Sequence, residues 1–153
     1  MRFLKEDRGN SAVEFGLILP LLMILLFAII KFSVALNNNI NLIEGVRVGV
    51  RYLAGARGAL TTTPYATTVL YVKKSAANLN PNNITVIASV DGTPCTDVTA
   101  ITCAAALATD GGTTTSHAGP VMVTAIYPCD LKVLNIDFAP NCKLSASTSI
   151  MVQ

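Results

Sequence analysis

Residues 8–30 read RGNSAVEFGLILPLLMILLFAII. A charged head, Arg8, leads into an almost unbroken apolar run, broken only by Glu14 near its start and by Pro20. From Phe15 to Leu36 the only charge is Lys31. That length is about the ~20 residues a helix needs to cross a bilayer core. A carboxylate at the lip of such a segment asks for a reason, because a buried charge is costly unless it is paired.

Working outward, residues 1–9, MRFLKEDRG, form a short charged leader. On the other side, NNNINLIEGVRVGVRYLAGARG follows the span. Its apolar residues Ile40, Ile43, Val46, Val50 and Leu53 fall at helical spacing, so the helix is expected to continue over 10–58. Gly55 and Gly58 are stop signals. Glu44 and Arg47 are placed to pair. Gly45 and Gly49 suit close packing against a sheet or helix dimerisation, and Arg47, Arg51 and Arg57 read as a solvated or headgroup face. A helix of ~45 residues would be ~68 Å long, more than twice the bilayer core. Its second half therefore needs a cover outside the span, which lies at about 15–36.

Residues 59–153 read as a small α+β head. Pro64 starts a shorter second helix, ended by the Asn-Pro-Asn-Asn cluster. Residues 84–90, 120–128 and 144–152 read as strands of a small antiparallel sheet. Residues 91–119 read as a loop and 129–143 as an irregular segment bracketed by cysteines.

The chain has 153 residues, 52% hydrophobic and 13% charged, and a net charge of +2. No lysine-arginine block or stacking set of aromatics argues for nucleic acid. Cys95, Cys103, Cys129 and Cys142 allow three disulfide pairings. Cys95–Cys103 with Cys129–Cys142 closes the shortest loops, each worth ~2–3 kcal/mol. A zinc site would lack any C-x-x-C and would have only His117 as its histidine. Arg2, Lys5 and Arg8 before the span and Arg47 and Arg51 after it leave the charge rule undecided. The cysteines favour an extracytoplasmic C-terminal part. Ser116-His117 lacks an orienting carboxylate, and no phosphate loop or paired catalytic carboxylates appear. No enzyme activity and no cofactor are expected.

RGNSAVEFGLILPLL resembles the N-terminal signature of TadE-like proteins, minor pseudopilins of Tad/Flp pilus systems related to type IV pilins. Gly9 ends the leader, Glu14 is the fifth residue after it, Phe15 follows, and Leu19-Pro20 comes next. INLIEGVRVGVRYLA is similar to the family's Arg-x-Gly-x-Arg-Tyr segment. Lys31 stands where family members often carry an acidic residue. The resemblance implies cleavage by a prepilin peptidase between Gly9 and Asn10. It also implies insertion into the bacterial inner membrane, single-pass with the head extracytoplasmic, or incorporation into an extracellular pilus. Other pilins or pseudopilins and the inner-membrane assembly platform would be the partners. Glu14 and Phe15 would serve pairing with an N-terminal amine, and Gly16 and Pro20 would loosen or kink the helix. The rival readings are an uncleaved anchored binding or adhesion domain and a secretory signal cut at Ser33-Val34-Ala35.

Overall fold

The structure, a computed structural model, describes residues 7–57, 63–98, 102–109, 119–133 and 136–151. The element order is α1 Asp7–Gly55, α2 Pro64–Ser75, a 3-10 turn Pro81–Asn83, β1 Thr85–Val90, β2 Thr93–Cys95, α3 Cys103–Thr109, β3 Val121–Pro128, β4 Lys132–Val133, β5 Ile136–Asp137 and β6 Lys143–Ile150. The fold is mixed α+β: a long apolar helix, a shorter helix and a small antiparallel sheet. By contacts the chain divides into two units. One holds the described residues up to Leu36 with those of 130–140; the other holds 37–129 and 141–151.

In the first unit, α1 is helical through Pro20. Residues 11–30 are exposed without exception. Lys31 and Ala35, one turn apart, are the only half-covered residues between 11 and 36. Lys31 Nζ lies 3.9 Å from Asp130 Oδ2. Residues 130–140, expected to be irregular, contain a small antiparallel hairpin in which Lys132 pairs with Asp137 and Val133 with Ile136.

The second unit builds the core. α1 continues through Asn37-Asn38-Asn39, residues of weak helix propensity, because the following turns bury a stripe that propensity does not see. Leu42, Val46, Val50 and Leu53 are fully buried, at four- and three-residue steps. Ile43 only packs against the core's edge, and Ile40 is exposed, contrary to expectation. Six residues at about 100° each put Ile40 some 120° around the helix from Val46, off the buried stripe.

α2 supplies Val72 to the same core, with Ala76 and Leu79 following it. At two glycines of α1 the close neighbour is α2, not the sheet. A Cβ on Gly45 would lie 2.8 Å from the Val72 carbonyl oxygen, and one on Gly49 would overlap the Val72 side chain. Tyr52 and Tyr71 stack alongside, with ring centroids 4.8 Å apart.

The sheet runs β2-β1-β3-β6, all antiparallel. Alternation sends Val86, Ala88 and Val90 of β1 and Val121, Val123 and Ala125 of β3 inward. The register sets Val86 beside Ala125 and Ala125 beside Ala146, so the small residues form one row. The β2 strand and α3 lie where a loop was expected. Asp91 (φ 49°) and Gly92 (φ 76°) form a two-residue turn joining β1 to β2, the backbone a tight hairpin requires.

Candidate functional site

The N-terminal segment concentrates the residues the sequence singled out. Gly9 and Asn10 lie in helical backbone near the start of α1. Glu14 and Phe15 are exposed on the helix that follows. From Asn10 to Glu14 is one helical turn, a rise of about 6 Å. Gly16 has nothing within 4 Å of a Cβ position, and Pro20 sits four residues on, inside the helix. A proline there removes the hydrogen bond that the Gly16 carbonyl would otherwise accept.

This helix is long and apolar enough to cross a membrane by length and composition, and its most apolar 18-residue window is 0% buried within the chain. So large an apolar surface needs lipid or other helices against it. The helix therefore suggests membrane anchoring.

The cysteines come together in two pairs at disulfide distance. Cys95 and Cys103 have Cα atoms 4.9 Å apart, and Cys129 and Cys142 5.2 Å, both inside the usual span of a bridge. The first pair ties the end of β2 to the start of α3. The second closes the base of the 130–140 segment, where the Cys129 N–H also donates to the Cys142 carbonyl at 3.1 Å. Ser116 and His117 lie outside the described residues. Among the described residues no three His, Cys, Asp or Glu side chains gather as a metal site would require.

Two polar contacts escaped the sequence reading. The Asp97 carboxylate accepts from the Tyr65 N–H (3.0 Å) and the Ala66 N–H (2.7 Å), capping α2 from outside. Thr63, the local cap position, makes no side-chain cap bond. Arg57, expected on a solvated face, is part-buried and donates to the Gly119 carbonyl. No local signal points to either, because each joins segments distant in sequence. Glu44 and Arg47 do pair, at 2.8 Å, on an exposed surface.

No curated protein and no solved structure matches the chain. The family model described as TadE-like protein matches residues 9–51. The match begins at Gly9 and takes in Glu14, Phe15, Pro20 and the buried stripe as far as Val50. The family is a structural one and suggests a Tad pilus-associated protein located in a membrane or pilus. Over this N-terminal helix the chain is similar to the TadE-like family of Tad pilus systems.

Proposed function

We propose that the protein is a minor pseudopilin acting in the assembly or structure of a Tad/Flp-type pilus. In this reading a prepilin peptidase cuts after Gly9, and the helix beginning at Asn10 stays in the inner membrane or packs among other pilins. The head then lies on the extracytoplasmic side. The single observation that carries the reading is the family match starting at Gly9 on a continuous apolar helix with Glu14 one turn in.

The physical logic is a charge balance. Cleavage leaves a positive amine at Asn10, at a helix end that is already partly positive. In lipid or a filament core that charge is costly alone. Glu14, about 6 Å along the axis, brings a carboxylate within reach of its own amine or a neighbour's. Pairing with a neighbour favours one axial register over others.

The N-terminal mass of the protein recovered from its native cell envelope tests this directly. A chain beginning at Asn10 supports the reading. A chain that keeps Met1 makes the protein an uncleaved anchored domain, and one starting at Leu36 makes it a secreted domain.

A further inference from the structure

The 130–140 segment reads DLKVLNIDFAP, apolar residues interleaved with Asp130, Lys132 and Asp137. It forms one unit with the apolar half of α1. Asp130 reaches Lys31, and among residues 11–36 of the helix the only half-covered positions are Lys31 and its neighbour one turn on, Ala35. Phe138, past the hairpin, is 60% exposed. The ion pair is itself open to solvent, 42% and 67% exposed, and at 3.9 Å such a pair holds little. Its value here is positional: it marks where on the helix the hairpin lies.

That place decides what covers Phe138. Lys31 sits near the end of the apolar run, where lysine stems lie along lipid and their ammonium groups reach the headgroups. A hairpin held at that level meets the same boundary, where an exposed aromatic is favoured. We propose that the 130–140 hairpin is a second membrane contact, lying at the bilayer interface with Phe138 in the lipid and Asp130 and Lys132 among the headgroups. The occupant is lipid because the hairpin meets α1 at Lys31, at the end of a helix whose apolar surface the rest of the chain leaves uncovered. This rests on the membrane-anchored reading of that helix.

The chain has no tryptophan, so a single one reports its own surroundings. Three full-length variants, Phe138→Trp, Leu25→Trp and Ile87→Trp, would be reconstituted in phosphatidylethanolamine–phosphatidylglycerol vesicles. Part of the lipid would be replaced by phosphatidylcholine brominated at shallow or deep acyl positions. Leu25 marks the span, about 9 Å along the helix from Lys31; Ile87 marks the sheet. Phe138→Trp should emit to the blue and be quenched best by shallow bromines, Leu25→Trp by deeper ones, and Ile87→Trp by neither. If Leu25→Trp is quenched and Phe138→Trp answers only to aqueous iodide, the hairpin lies in water and the proposal fails alone. If Phe138→Trp is blue-shifted but untouched by bromolipid, protein covers it, and the proposal fails in favour of a partner subunit. If neither is quenched, the anchored reading fails with it. Should Phe138→Trp misfold by circular dichroism, Ala139→Trp beside it takes its place, with the same outcomes.

Discussion

The two halves of α1 belong to one helix but answer to different surroundings. Between Ser11 and Ile30 every side chain is exposed. Between Leu42 and Leu53 one stripe is fully buried, and two glycines admit a neighbouring helix. Both are rich in Leu, Ile and Val, so apolar content alone does not say what covers each. The arrangement does. The first half is apolar all round, the mark of a segment whose cover comes from outside the chain. The second confines its apolar side chains to a face and matches them to α2 and the sheet. Hydrophobicity states how much must be covered; periodicity states by what.

Substitutions that act in one half and not the other test this division. The largest effect is expected from Glu14→Ala, which removes one partner of the proposed amine–carboxylate pair. Breaking such a pair when buried costs ~3–5 kcal/mol. Pilus assembly or association with helper pilins should fail in cells, while the head's melting in detergent stays as in the parent. Normal association would sink the pairing argument. Next comes Leu53→Ala, which should lower the head's stability by ~2–5 kcal/mol in urea titration of the full chain in micelles. Leu25→Ala should leave that titration unchanged, because Leu25 is 59% exposed and takes no part in the buried core.

Glycine to alanine is the sharper comparison, since the same methyl should act with opposite sign. At Gly45 it meets the Val72 carbonyl and should destabilise by ~1–3 kcal/mol in the same titration. At Gly16 it meets nothing and should strengthen the helix by ~0.5–1 kcal/mol, read as higher helicity of the isolated segment in micelles. Equal effects would mean the halves do not differ in packing. A smaller loss, ~1 kcal/mol, is expected for Asp97→Ala through the lost cap of α2. The smallest, a few tenths of a kcal/mol, is expected for Arg47→Ala, whose pair with Glu44 is exposed.

What was legible in the sequence was local. The long helix shows in its apolar run and spacing, α2 in Pro64, and β1, β3 and β6 in β-branched or alternating runs. Glu44–Arg47 shows in its three-residue step. The Asp91-Gly92 turn carried a hairpin signal, but the strand after it, Thr93–Cys95, is too short to alternate visibly. The glycine contacts with α2 were open to several partners, because a small-residue spacing states closeness without naming the neighbour. Gly9, Glu14 and Pro20 could be singled out because their pattern lies within one short stretch. The Lys31–Asp130 approach could not, since it joins a helix to a distant hairpin.

The Asp97 cap has a consequence for how α2 opens. A helix of 12 residues is marginal alone. Its first amides, Tyr65 and Ala66, wait on a carboxylate 31–32 residues away, beside the Cys95–Cys103 pair. Helix ends ordinarily fray, and their amides exchange with solvent quickly. Here fraying must also break the hold on Asp97 in the disulfide-bridged β2–α3 connection, so the start of α2 is tied to a second element. Deuterium uptake at Tyr65 and Ala66 should then track the slow opening of that whole region, making the start of α2 a reporter of cooperativity in the head.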